Sequence, residues 1–108
     1  MALYMTQYAL TPEAWAALAK KPEDRSVQLK TVMEKLGGRL LGFYYCFGEY
    51  DGVVISEMPD NFSQMTVLLA VIAPGHMKSC KTTVLMTLED AMKAMKSAGE
   101  IAYKPPTA

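Results

Sequence analysis

The sequence lacks a surplus of charge of either sign. Eleven Lys and Arg residues balance eleven Asp and Glu residues, so the formal net charge is zero. A chain without a positive field does not gather phosphate backbones, which argues against a nucleic-acid partner. Little long-range repulsion then opposes contact between copies of a chain that is 51% hydrophobic. We therefore expect a homodimer or a higher assembly of dimers.

Cysteine and long apolar runs are also scarce. Cys46 and Cys80 are the two cysteines, too few for a small secreted disulfide scaffold, and we expect both to be reduced. The longest wholly apolar run, residues 67–73, is far short of the ~20 residues needed to span a bilayer. The first residues lack the basic region of a signal peptide. These features predict a cytoplasmic protein without a membrane partner.

The common catalytic motifs are missing as well. The chain has no Gly-rich phosphate loop, no Ser-His-Asp set, no HExxH and no CxxC, which excludes the enzyme classes that need them. The sequence accordingly predicts no tightly held cofactor and no dedicated metal site.

Apolar periodicity and capping residues predict one domain over residues 1–108, with the order β, α in two pieces, β, β, α, β, α. Residues 2–8 alternate as in a strand, and Thr11-Pro12-Glu13 is typical of a helix start. The helix after Pro59 is expected to bury Phe62, Met65, Leu69 and Ile72. The last helix is expected to carry an inward-facing apolar stripe of Ala91, Met92, Met95 and Ala98.

This order is the ferredoxin-like split βαβ of the α+β class, with a four-stranded antiparallel sheet and an extra C-terminal helix. Its helices cover one face of the sheet, and the other face must find a cover of its own. The residues expected on that uncovered face are apolar or aromatic: Tyr4, Tyr8, Leu40, Tyr44 and Val54. A dimeric α+β barrel, with two sheets packed face to face, would bury them.

The turn Gly48-Glu49-Tyr50-Asp51 resembles the signature of the GYD domain family. The stretches 36–44 and 53–60 and the closing Tyr103-Lys-Pro-Pro are similar to the family as well. The resemblance implies a dimeric α+β barrel. Relatives of that barrel class include cofactor-free monooxygenases, haem-degrading enzymes, isomerases and ligand-sensing domains, so no single activity is implied. The sequence departs from the family pattern at Cys46, His76 and Cys80.

Hydroxyls and thiols fall among the apolar strand positions, which predicts a tyrosine-rimmed pocket for a small molecule between the two sheets. Buried hydroxyls cost about 1–3 kcal/mol each when unpaired, so a plain dimer core would not favour them. The candidate ligand-binding residues are Tyr4, Thr6, Tyr8, Tyr44, Cys46, Ser56 and Cys80. The alternative is that these groups bond one another across a filled interface.

His76 is the only histidine and the only side chain whose ordinary pKa lies near neutrality, so it is the candidate catalytic base. In a cofactor-independent enzyme, Tyr44 or Tyr8 would orient an oxygen of the ligand. A solvated loop histidine is the alternative. Two further interpretations of the whole protein stay open: a non-catalytic interaction or regulatory module, and a haem or soft-metal binder that uses His76 or the thiols.

Overall fold

The computed structural model describes residues 1–107, which form eight helices and strands. In chain order they are β1 (Ala2–Leu10), α1 (Pro12–Lys20), α2 (Ser26–Lys35), β2 (Arg39–Tyr45), β3 (Gly52–Met58), α3 (Asn61–Ile72), β4 (Met77–Leu85) and α4 (Leu88–Gly99). This confirms the predicted order of elements. The fold is the predicted ferredoxin-like α+β class.

The four strands form one antiparallel sheet with the order β2-β3-β1-β4. β1 is central and pairs on both sides, so Tyr4 lies between Ser56 of β3 and Val84 of β4. β2 and β4 are the edge strands. The two free cysteines, one just after β2 and one on β4, are therefore at opposite edges of the sheet.

Three helices begin at side-chain caps, and the first of these is the predicted start at Thr11. Thr11 Oγ1 accepts a hydrogen bond from the backbone N–H of Ala14 at 3.1 Å. Asp60 Oδ1 accepts one from Ser63 N–H at 2.8 Å, and Thr87 Oγ1 accepts one from Asp90 N–H at 3.1 Å. Each cap satisfies a donor that a helix start leaves without an intrahelical partner.

The strand face that meets the helices differs from the prediction. Tyr4, Tyr8 and Val54 are buried in the core with Met33 of α2 and Val67 of α3. Leu40 packs against the same core. The prediction that these residues lie on the uncovered face is therefore wrong for all but Tyr44. The helices cover the face that carries Tyr4 and Tyr8, and side chains alternate between the two faces wherever the strand pairing is regular.

The opposite face of the sheet is still rich in apolar side chains. The pairing register puts the residues between the core positions on that face. Its apolar members are Leu3, Met5, Tyr44, Val53, Ile55 and Leu85. We call this set the open face.

Helix α3 turns a different side toward the sheet from the one predicted. Ser63, Gln64 and Val67 are buried, whereas the stripe expected inside is exposed: Phe62, Met65, Leu69 and Ile72. The helix has apolar side chains on most of its sides, so apolar periodicity alone specifies its rotation only weakly. The polar contacts of Gln64 with the sheet favour the observed rotation.

Helix α4 extends away from the rest of the protein. The radius of gyration is 17.8 Å and the longest dimension 59 Å, whereas a compact chain of this length has a radius near 13 Å. Met92 and Met95, expected to face inward, are exposed, as is Leu88. The apolar stripe of α4 is thus unpacked within the single chain.

The loop after β2 ties the end of the hairpin to β1. Asp51 Oδ2 accepts a hydrogen bond from Leu10 N–H at 2.8 Å, and the backbone N–H of Asp51 donates to Tyr8 O at 2.8 Å. Gly52, which follows Asp51, has no room for a side chain, because a Cβ there would overlap the ring of Tyr8. The Gly-Glu-Tyr-Asp segment therefore has a structural role at this end of the sheet.

Replacing the Asp51 carboxylate should destabilise the fold. Asp51→Ala leaves the N–H of buried Leu10 without its acceptor, which should cost roughly 1–3 kcal/mol of unfolding free energy. Urea unfolding followed by circular dichroism measures the change. Glu49→Ala is the matched control, because Glu49 lies in the same loop and is exposed. Equal stability of the two variants would contradict the structural role of Asp51.

Candidate functional site

A cavity of about 390 Å³ lies between the helix-facing side of the sheet and helices α1, α2 and α3. Its wall is mainly apolar and comes from both layers. The apolar side chains include Leu18, Leu29, Val32, Phe43, Val67 and Met77. The cavity thus belongs to one protomer, whereas the sequence analysis places the pocket between the sheets of two protomers.

A short chain of polar side chains crosses the sheet side of the cavity. Gln64 Nε2 donates to Thr6 Oγ1 at 3.3 Å, and Ser56 Oγ donates to Gln64 Oε1 at 3.5 Å. The hydroxyls of Thr6 and Thr82 are 3.4 Å apart. Thr6 and Gln64 both line the cavity, so they present polar atoms to an otherwise apolar space.

Tyr8 lines the cavity near the Gly-Glu-Tyr-Asp loop. Its ring meets Phe43 edge to face, with the centroids 6.2 Å apart. Burial, with smaller contributions from Tyr45, Cys46 and Asp51, raises the pKa of the Tyr8 hydroxyl well above its ordinary value. The phenol therefore stays protonated at neutral pH and can donate a hydrogen bond.

Cys80 lies opposite Tyr8 in the β1–β4 pairing and also lines the cavity. Burial raises the pKa of its thiol. The neutral thiol behaves as a small apolar group with a weak donor, and it is a poor nucleophile in this state.

The exposed lining residues mark the mouth of the cavity between the α1–α2 loop and the α3–β4 loop. Arg25 pairs with Glu23 there, with 2.9 Å between Nη1 and Oε1. Pro74 and His76, between α3 and β4, also line the cavity and are exposed. The His76 side chain is exposed, while its backbone carbonyl accepts a hydrogen bond from Thr11 N–H at 3.0 Å. His76 is therefore at the rim and not in the depth of the cavity.

The structure brings four of the eight predicted site residues together: Thr6, Tyr8, His76 and Cys80 line one cavity. The other four, Tyr4, Tyr44, Cys46 and Ser56, are placed elsewhere. Tyr4 donates to Asn61 Oδ1 at 2.6 Å, and the Cys46 thiol donates to Tyr50 O at 3.3 Å. Ser56 is fully buried behind Gln64.

The prediction that Tyr44 shares a face of the sheet with Tyr4 and Tyr8 is wrong. Tyr44 pairs with Val53, whereas Phe43 pairs with the core residue Val54. Alternation along β2 therefore turns Tyr44 onto the open face, where 64% of it is exposed. A shift between Leu40 and Gly42 in the β2–β3 register breaks simple counting along this strand.

The sequence analysis missed Gln64. Gln64 carries the only amide side chain between Phe62 and Ile72 of a mainly apolar helix. A polar side chain in such a segment is a signal for a buried hydrogen-bonding role. The stripe predicted to face inward on this helix did not include it.

Two further features concern metal ions and membranes. Within residues 1–107, no group of three or more His, Cys, Asp or Glu side chains is arranged to hold a metal ion. In the same part of the chain, no helix has both the length and the apolar character needed to cross a bilayer.

The sequence profile of the GYD domain family matches residues 4–95. The chain belongs to the GYD domain family. The match includes the loop that carries Asp51 and the strands that carry Thr6, Tyr8 and Cys80. A search of curated proteins finds no match to this GYD domain.

Several solved structures are similar to this GYD domain at low sequence identity. MtbAldR is 10% identical with a TM-score of 0.58, over 80% of this chain and 53% of its own. The chain thus spans about half the length of MtbAldR. A NIPSNAP-like domain protein from Burkholderia xenovorans is 14% identical with a TM-score of 0.49, over 99% of this chain and 90% of its own. An antibiotic biosynthesis monooxygenase is 14% identical with a TM-score of 0.49, over 82% of this chain and 99% of its own.

The half-buried thiol of Cys80 should react slowly. In a Cys46→Ser variant only Cys80 remains, and its raised pKa leaves less thiolate at pH 8 than an ordinary cysteine has. Labelling with a chromogenic disulfide reagent should be at least several-fold slower in the folded protein than in denaturant. The folded-state rate should still be rising with pH where the denatured rate has levelled off. Equal rates and pH profiles in the folded and denatured states would contradict the burial of the Cys80 thiol.

Proposed function

We propose that this GYD domain binds a small molecule in the cavity between its sheet and its helices, and that it does so as a homodimer. The observation that carries the binding proposal is the cavity itself. Its volume of about 390 Å³ falls in the range of ~300–1,000 Å³ that is usual for ligand pockets. Its apolar wall with a few convergent polar groups is also the usual composition of such a pocket.

The residues at the rim and in the depth would act differently on a bound molecule. Thr6, Tyr8 and Gln64 would meet its inner end with neutral hydrogen-bonding groups. His76 would meet its outer end in contact with water. The proposal covers binding and assigns no reaction, so the catalytic role of His76 stays a prediction.

The dimer proposal rests on the open face and on α4. Apolar residues of the open face, including Leu3, Met5 and Ile55, have no layer over them in the single chain. The α4 stripe with Met92 and Met95 is also unpacked. An isolated helix of this length is marginal in water, so its stripe needs a partner surface. Zero net charge leaves little repulsion against a second copy.

These surfaces also favour the interaction-module interpretation as a second candidate function. If the cavity binds nothing, the open face and α4 remain surfaces for assembly. The cytoplasmic location, the lack of a nucleic-acid partner and the independence from a cofactor stay predictions from the sequence.

Filling the cavity should abolish binding of a neutral apolar probe. N-phenyl-1-naphthylamine, which fluoresces in apolar sites, should bind the parent protein. Leu68→Trp adds bulk to a residue that lines the cavity and should weaken binding at least tenfold. Leu69→Trp is the matched control, because the same change on the exposed side of α3 should leave binding intact. Lack of probe binding by the parent, or equal loss in both variants, would overturn the proposal.

A charge on the open face should dissociate the dimer. Ile55 lies near the middle of the sheet, opposite Met5 in the β1–β3 pairing, so Ile55→Lys would bury a charge in the interface. Light scattering after size exclusion at micromolar concentration should give a dimer for the parent and a monomer for the variant. Val27→Lys, which replaces an exposed apolar residue of α2, should remain a dimer. A monomeric parent would refute the assembly.

A further inference from the structure

We infer that the ligand of this cavity is a neutral, largely apolar molecule with an oxygen acceptor that takes a hydrogen bond from the Gln64 amide. The inference rests on the proposed binding function and adds the chemical class of the ligand. It depends on the hydrogen-bonding capacity of Gln64 and on the distribution of charge around the cavity.

Gln64 has more hydrogen-bond donors than the protein uses. The residue is only 4% exposed, and its amide nitrogen carries two N–H groups. Among residues 1–107, this nitrogen donates to one acceptor, Thr6 Oγ1, at 3.3 Å. Exchanging the amide oxygen and nitrogen would direct the nitrogen to Ser56 Oγ and again use one N–H. A buried N–H is therefore left over in either orientation.

The bonds that Gln64 does make are long. The contacts of 3.3 Å with Thr6 and 3.5 Å with Ser56 exceed the usual range of about 2.7–3.2 Å for N–H···O and 2.5–3.0 Å for O–H···O bonds. A ligand oxygen at the amide would satisfy the spare N–H. Because an unsatisfied buried donor is costly, this gain favours a ligand with an acceptor over one without.

Charge around the cavity favours a neutral ligand. The charged side chains that line it, Glu23 and Arg25, pair with each other at the mouth and are about half exposed. The inner polar residues Thr6, Tyr8 and Gln64 carry no charge at neutral pH. An ionised group at the inner end would lose its water without gaining an opposite charge, which is strongly unfavourable.

Displacement of N-phenyl-1-naphthylamine by three compounds with one skeleton tests the inference. 2-Acetylnaphthalene carries the carbonyl acceptor, 2-isopropenylnaphthalene has the same shape with CH₂ in place of the oxygen, and 2-naphthoate is charged. The parent should bind the ketone roughly 3- to 10-fold more tightly than its hydrocarbon isostere, as one added hydrogen bond allows. It should bind 2-naphthoate more weakly than the ketone.

Variants assign this preference to Gln64. Gln64→Met keeps the length of the side chain and removes both donors, so the ketone should lose its advantage while the hydrocarbon still binds. Gln28→Met is the matched control, because Gln28 lines the same cavity but is exposed. It should keep the preference. If Gln64→Met does not fold, the Gln64 side-chain amide signals in ¹⁵N NMR of the parent replace it, and they should shift with the ketone more than with the isostere.

The outcomes separate this inference from the proposed function. Equal displacement of the probe by ketone and hydrocarbon, or unchanged ketone preference in Gln64→Met, would overturn the ligand class while the cavity still binds. Amide signals that respond equally to both compounds would overturn it too. Failure of the probe to bind the parent protein would remove the binding function and this inference with it.

Discussion

The position of β1 between β3 and β4 is the constraint on which the rest of the structure depends. This pairing sets Tyr4, Thr6 and Tyr8 on one face and the residues between them on the other. A slip of one residue would reverse both faces. The core, the cavity and the open face all follow from this single register. The Asp51 carboxylate, which accepts from Leu10 N–H, holds the end of the strand where the cavity meets the loop.

The cavity combines an apolar wall with polar groups that are only loosely satisfied. Thr6, Ser56 and Gln64 are buried, and their mutual hydrogen bonds are longer than is usual. A tightly packed core would shorten these bonds or replace the groups with apolar ones. Helix α3 instead puts the Gln64 amide over the sheet. Such an arrangement suits a site that exchanges its own weak bonds for those of a ligand.

The proposed assembly depends on surfaces that are unpacked within the single chain. The apolar stripe of α4 and the open face belong to the same chain, and neither is covered by other residues of that chain. If two copies pack through the open face, each protomer keeps its own cavity on the far side of its sheet. Binding and assembly would then occupy opposite faces of one sheet, and β1 would contribute alternate residues to each.

The sequence by itself determined the order of elements, the helix start at Thr11, the fold class and the family, because these depend on local periodicity and on short motifs. Only the tertiary structure decided which face of each element is buried. Both faces of β1 and nearly all sides of α3 are apolar enough to be core, so local pattern could not choose between them. Pairing across distant strands and the contacts of Gln64 made that choice, placing Thr6, Tyr8 and Cys80 in the cavity and Tyr44 outside it.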